Sequence, residues 1–120
     1  MTTISTSGID AALRSAYSTR DAAVHAALYA PDATVEIIDA VHTPSHPAVF
    51  AGRDALLAHF EDVFARDMTH EVDTIALSGD RLGYSLRCAY ADGMKVACAA
   101  TAVVRDGLIV REVGIQAWDG

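Results

Sequence analysis

Two Asp-Gly pairs, at 92–93 and 106–107, constrain the fold more than any other feature of the sequence because each lies between long apolar runs. Asp-Gly between alternating hydrophobic segments favours a tight β-hairpin, since both residues accept the left-handed backbone of such turns. A third break, SGD at 78–80, precedes them. We therefore predict four consecutive antiparallel strands, with the sequences HEVDTIAL, RLGYSLRCAYA, MKVACAATAVVR and LIVREVGIQAW.

The first half of the chain has mainly helical periodicity. Apolar residues at i, i+3, i+4, i+7 and i+8 predict a helix from Ile9 to Ser18. The segment DAAVHAALYA predicts a second short helix that Pro31 ends, and ATVEIIDAV predicts a strand. From Gly52, the segment GRDALLAHFEDVFARDM predicts a third helix with an apolar face of Leu56, Leu57, Phe60, Val63 and Phe64. The order α-α-β-α-β-β-β-β indicates an α+β fold, with the helices gathered on one side of a curved, mostly antiparallel sheet.

Length and composition exclude several classes of protein. A chain of 120 residues predicts a single domain over 1–120, and 52% apolar residues are enough for a packed core. No apolar run approaches the roughly 20 residues of a membrane span. A net charge of -7 without a basic stripe argues against nucleic acid as a partner. The start, MTTISTSGID, lacks the pattern of a secretory signal, so we expect a cytoplasmic location.

Two-residue Asp-Gly loops would also fix which residues share a face of the sheet. They would pair Ala91 with Met94 and Arg105 with Leu108. Cys88 and Cys98 would then lie on opposite faces of the sheet, which makes a disulfide between them unfavourable. The predicted cavity face then holds Tyr84, Leu86, Cys88, Ala97, Ala99, Thr101, Val103, Val110, Glu112, Gly114 and Gln116, with Trp118 at its end. The other face is also apolar, so we expect a homodimer through Met94, Val96, Cys98, Val113 and Ile115.

The pattern resembles the nuclear transport factor 2-like superfamily over nearly the whole chain, and within it the SnoaL-like and ketosteroid-isomerase-like branch. The resemblance rests on LYAPDATVEI after two helices, the helix GRDALLAHFEDVF, SGDRLGYS and VVRDGLIVREV. It implies a cone-shaped α+β barrel with a pocket between the helices and the concave sheet, commonly as a dimer. It does not specify the chemistry, because this fold hosts isomerases, dehydratases, cyclases, epoxide hydrolases and binding modules.

The catalytic residues of steroid isomerases do not carry over to this sequence. Where that branch has Val-Glu-Asp with the aspartate as base, this chain has Val35, Glu36 and Ile37. The positions that match its oxyanion-hole tyrosine and acid are Leu13 and Thr101. Similar polyketide cyclases use an aspartate late on the last strand, where this chain has Gln116, which cannot act as a base at neutral pH.

Asp39 and Glu112 are the two candidate catalytic residues. Strand alternation places Asp39 on the same face as Ile37, so that it could serve as a base in a shifted position; alternatively, it pairs with an arginine or caps the loop. Glu112 is predicted to face the cavity, where it needs a hydrogen-bond donor or must titrate near neutrality. A single bulge in either hairpin would instead turn Glu112 outward.

Six further residues are candidates for contact with a substrate: Tyr17, His42, His70, Thr101, Gln116 and Trp118. His42 and His46 have the helical spacing of metal ligands, but Pro44 and Pro47 prevent a helix there, so we predict no metal and no cofactor. No nucleophile or nucleotide-binding motif is present, and a covalent cysteine mechanism lacks an evident histidine partner.

The sequence leads to two hypotheses about function. In the first, the protein binds a hydrophobic, carbonyl-bearing small molecule and acts as an isomerase, cyclase or dehydratase by proton transfer. In the second, it is a non-catalytic dimeric domain that binds a ligand or another protein. The missing family residues favour the second hypothesis, whereas two candidate inward-facing acids favour the first.

Overall fold

The computed structural model of the chain describes residues 8–119. The first seven residues, which contribute to the expectation of a cytoplasmic location, lie outside that range. Three helices are present in it, α1 (Ile9–Thr19), α2 (Ala22–Ala26) and α3 (Arg53–Ala65). The bounds of α1 and α3 confirm the first and third predicted helices. None of the helices described is long and apolar enough to cross a membrane.

The strands are β1 (Tyr29–Ile38), β2 (Ala48–Ala51), β3 (Met68–Ser78), β4 (Arg81–Tyr90), β5 (Lys95–Arg105) and β6 (Leu108–Trp118). They form one curved sheet in the order β2-β1-β6-β5-β4-β3, in which only the β1–β6 pair is parallel. The sheet does not close, since β2 and β3 lie at its two edges. The predicted α+β class, with helices packed on a curved and mostly antiparallel sheet, is confirmed.

Two elements of the first half differ from the prediction. The second helix ends at Ala26, and Tyr29 already belongs to β1, so Pro31 lies inside a strand rather than at the end of a helix. β1 ends at Ile38 and does not include Asp39. The short strand β2 is not predictable from the sequence, because its four residues follow the proline-rich loop and are too few to show a period.

Both predicted hairpin registers are wrong by one residue. In the β4–β5 hairpin the amide of Tyr90 donates to the carbonyl of Met94 at 2.8 Å, so the loop has three residues and Cys88 lies opposite Val96. In the β5–β6 hairpin Arg105 pairs with Leu108 as predicted, but a bulge follows, and Val103 pairs with Arg111.

Each error shifts β5 by one position, which reverses its faces. The two shifts together amount to two residues between β4 and β6, so the predicted faces are correct for β4 and for β6 from Arg111 onward. Before the bulge the prediction is wrong, because Ile109 pairs with the inward-facing Val104 and is fully buried. Thr101 therefore lies on the outer face and is exposed, whereas Val96 and Cys98 lie on the inner face rather than on the predicted dimer surface. The inner face of β5 consists of Val96, Cys98, Ala100, Ala102 and Val104.

Candidate functional site

A cavity of about 100 Å³ lies between the helices and the inner face of the sheet. Its walls are mostly apolar and aromatic. Its polar lining groups among the described residues are Tyr17, His59, Arg66, His70, Tyr84, Cys88, Tyr90, Cys98, Glu112, Gln116 and Trp118. An apolar pocket with a few convergent polar groups is the usual form of a small-molecule site.

Glu112 is the only acid among the described residues that line this pocket, and 6% of its surface is exposed. The hydroxyl of Tyr84 donates to its Oε1 at 2.8 Å, and the hydroxyl of Tyr29 donates to the same atom at 3.0 Å. No hydrogen bond to Oε2 is present among residues 8–119, so Oε2 is the carboxylate oxygen available to a ligand. Because β6 and β4 carry Glu112 and Tyr84 on the inner face, the sheet itself fixes this arrangement.

Burial raises the pKa of Glu112 to about 7, although hydrogen bonds from Tyr84 and Tyr29 oppose the shift. Removing a carboxylate from water disfavours its charged form, and two donors restore only part of the lost solvation. Near pH 7 both protonation states are therefore populated. A group in this condition can accept a proton and return it in one reaction cycle.

Tyr17 lies on α1 against the same cluster, with its ring centroid 6.4 Å from that of Tyr84. Burial, together with the nearby charge of Glu112, raises the pKa of Tyr17 well above the ordinary value. Tyr17 is thus a neutral hydroxyl at physiological pH, able to donate a hydrogen bond in the pocket.

Asp39 and His42 lie outside the inner pocket, in a wider depression of about 690 Å³ at its mouth. The Oδ1 atom of Asp39 accepts from the amides of Val41 and His42 and lies 2.9 Å from Nδ1 of His42. Asp39 therefore caps the loop after β1, which is the second of the two roles that the sequence allows. Partial burial favours protonation, but these hydrogen bonds outweigh it and lower the pKa of Asp39. His46 is exposed farther along the loop.

Gln116 and Trp118 line both the inner pocket and the depression at its mouth. The indole Nε1 of Trp118 donates to Oε1 of Gln116 at 3.1 Å. Trp118 is 38% exposed, so it forms the wall at the entrance rather than a buried floor. Thr101, on the outer face, cannot contact a molecule bound inside.

His70 lies on the wall formed by β3, next to Cys88 on β4. Its Nδ1 atom is 3.4 Å from the Sγ atom of Cys88, and its Nε2 atom is buried without a partner in the described part of the chain. Cys88 thus has a histidine neighbour, which is not evident from the sequence. Both cysteines are reduced, and they share the inner face.

Two residues of the site, Tyr29 and Tyr84, are absent from the candidates that the sequence indicates. Strand alternation does place Tyr84 on the cavity face together with Glu112. Tyr84 could therefore have been predicted as the hydrogen-bond donor that a buried Glu112 needs. Tyr29 falls in the segment predicted as a helix. The parallel pairing of β1 with β6, which places it near Glu112, leaves no local signal in the sequence.

The fold and the pocket together define an α+β protein of the nuclear transport factor 2-like type. A family model described as the SnoaL-like domain matches residues 9–112, and the chain belongs to this family. No curated protein matches the sequence at a significant level.

Solved structures with the same fold extend the comparison. A nuclear transport factor 2-like protein of unknown function from Mesorhizobium loti has 25% identity and a TM-score of 0.80, with 96% of this chain and 91% of that chain covered. A candidate polyketide cyclase from Streptomyces antibioticus has 26% identity and a TM-score of 0.69, with 92% and 91% covered. A candidate ketosteroid isomerase from Kribbella flavida has 20% identity, a TM-score of 0.78, and 98% and 80% covered, which shows the fold alone.

Proposed function

We propose that this protein binds a small, apolar, carbonyl-bearing molecule in the inner pocket and that Glu112 transfers a proton to or from it. The observation that carries the proposal is a buried carboxyl that lines the pocket, accepts from two tyrosine hydroxyls at one oxygen, and has a pKa that burial raises to about 7. A general acid–base catalyst works best when its pKa lies near the working pH. Asp39, with a lowered pKa and three donors to one oxygen, is a weaker base.

The proposed chemistry is removal of a proton from the carbon next to a carbonyl. Ionised Glu112 accepts that proton, and the negative charge moves to the carbonyl oxygen as an enolate. A neutral donor such as Tyr17 or the amide of Gln116 can stabilise the oxygen. Return of the proton at another carbon gives isomerisation, and attack of the enolate on a second carbonyl gives cyclisation. The candidate polyketide cyclase from Streptomyces antibioticus, which is 26% identical to this chain, supports this class of reaction.

The size of the pocket limits the substrate. A volume of about 100 Å³ is below the roughly 300 Å³ at which sites for drug-sized ligands begin. We infer that the reacting part of the substrate enters the inner pocket and that any larger remainder lies in the depression beside Trp118.

We expect the chain to catalyse exchange of the α-hydrogens of cyclopentanone in D₂O, measured by proton NMR, and Glu112→Gln to slow it by about 10² or more. Asp39→Asn should change the rate less than twofold. The matched control is Glu61→Gln, an exposed acid on α3. Unchanged exchange in Glu112→Gln would contradict the assignment. Saturable binding of the ketone with no exchange would support the non-catalytic alternative.

We also propose a homodimer through the outer face of the sheet, with a surface corrected for the observed register. Val113 and Ile115 lie on this face beside the small residues Ala97 and Ala99, and Ile115 is 55% exposed. An exposed apolar strip on a sheet is unusual for a monomer. Sedimentation equilibrium should give twice the chain mass for the wild type and the single mass for Ile115→Lys. A monomeric wild type at high micromolar concentration would refute the dimer.

A further inference from the structure

We propose that Cys88 is a nucleophilic thiol that captures an α,β-unsaturated carbonyl compound inside the pocket, with His70 as its proton acceptor. This inference concerns the wall formed by β3, β4 and β5 and does not depend on proton transfer by Glu112.

The register of β3, β4 and β5 brings one histidine and two cysteines together on the inner face of the sheet. His70 on β3 lies directly opposite Cys88 on β4, and the Sγ–Nδ1 distance is 3.4 Å. Cys88 pairs with Val96 on β5, and Cys98 is two residues farther on, so the two cysteines are diagonal neighbours on the same face. All three side chains line the inner pocket. A ligand in the pocket therefore meets a thiol that already has a base beside it.

The surroundings of Cys88 favour its thiolate. The neighbouring Cys98 thiol and the contact with His70 lower the pKa of Cys88, and together they outweigh burial, which alone would raise it. The pKa of Cys98 shifts in the opposite direction because of the adjacent Cys88 sulfur and its own partial burial. Cys98 therefore stays protonated and supports the neighbouring thiolate rather than competing with it.

The second nitrogen of His70 points to a ligand with an oxygen acceptor. Nε2 is buried and has no partner among the described residues, which costs free energy unless a bound molecule supplies one. After Nδ1 has taken the thiol proton, the imidazolium carries a hydrogen on Nε2 as well. A carbonyl oxygen is the matching acceptor, and conjugation of that carbonyl with a double bond makes the ligand electrophilic.

The covalent step balances without an oxidant or a cofactor. The Cys88 thiolate forms a carbon–sulfur bond to the β-carbon, and the electron pair of the double bond moves to the carbonyl oxygen as an enolate. The proton that His70 accepted from the thiol then goes to the α-carbon. The product is a saturated carbonyl compound joined to Cys88 by a thioether.

The test is modification of the full native chain by N-ethylmaleimide, a compact Michael acceptor, between pH 5 and pH 9. The rate of modification is measured at each pH, and peptide mass mapping identifies the modified cysteine. We expect one equivalent on Cys88, with the rate half-maximal below about pH 7 rather than near the value of about 8.5 for a free cysteine. Cys88→Ser should lose at least nine-tenths of the labelling, and Cys98→Ser should still be labelled at Cys88.

The role of His70 is tested by a shift in the pH profile, which a purely structural role would not produce. His70→Gln should slow labelling at pH 6 at least tenfold and move the midpoint toward 8.5, and His70→Asn serves as a second variant if the first does not fold. Preferential labelling of Cys98 in the wild type, a midpoint near 8.5, or an unchanged profile in both folded His70 variants would overturn the proposal.

Discussion

Acidification from pH 6.5 to pH 3 is expected to lower the free energy of unfolding by about 4 kcal/mol through His25 alone. His25 on α2 is fully buried, and neither ring nitrogen has a partner among the described residues. It packs against the rings of Phe60 and Tyr17, with centroids 4.3 and 4.5 Å away. Burial lowers its pKa to about 3, with smaller contributions from His70 and His59.

The sign follows from the two states of the chain. Below pH 6.5 the unfolded chain binds a proton on His25 and the folded chain does not, so stability falls as the pH falls toward 3. A loss of this size is comparable to the total stability of a small domain. His25→Phe removes the titrating group and keeps an aromatic ring in an aromatic cluster.

The measurement is urea unfolding at half-unit pH steps for the wild type and for His25→Phe. The difference between the two curves should grow by about 4 kcal/mol between pH 6.5 and pH 3. The exposed His46→Gln is the control and should follow the wild type. A constant difference between wild type and His25→Phe would mean that His25 gains a proton in the folded protein without penalty.

Glu112 is expected to act in the opposite direction, with a loss of about 3 kcal/mol as the pH rises from 4.5 to 7. Its pKa in the folded protein is about 7, against an ordinary value of 4.5. Over this interval the unfolded chain releases the proton of Glu112 and the folded chain keeps it, so folding becomes less favourable. The full stabilisation is present below pH 4.5 and is lost above 7.

Glu112→Gln should remove this slope, because the amide retains an oxygen for Tyr29 and Tyr84 but carries no charge. Relative to the wild type, the variant is expected to gain about 3 kcal/mol between pH 4.5 and pH 8. Glu61→Gln, the exposed control on α3, should show no such gain. A gain of less than about 1 kcal/mol would indicate that Glu112 is not held in a desolvated site.

The element order could be predicted from the sequence because turns and periodicity are local signals. The Asp-Gly pairs do mark both C-terminal hairpins, and the apolar stripe starting at Ile9 does form a helix. The registers could not be predicted, because a three-residue loop and a bulge contain the same residues as the tighter turn assumed for them. The predicted face of Thr101 is wrong for this reason. The predicted face of Glu112 is correct because the two one-residue errors add up to a shift of two residues, which leaves its side chain on the same face.

The site could be predicted only where it depends on one strand at a time. Alternation along β6 places Glu112 on one face with Gly114 and Gln116. Its partner Tyr29 lies 83 residues away along the chain and reaches it through parallel pairing of β1 with β6. The contact of His70 with Cys88 depends on the β3–β4 register, which includes another bulge. Long-range pairing of this kind has no short-range signature.

Titration of the Glu112 side-chain carboxyl by ¹³C NMR would decide whether this group can exchange a proton at neutral pH. The protein is labelled at glutamate, and the resonance is assigned by its absence in Glu112→Gln. Burial of the carboxyl, opposed in part by its two tyrosine donors, predicts a midpoint near pH 7. A midpoint near the ordinary 4.5 would show that the carboxyl is solvated, and would remove the basis for proton transfer at neutral pH.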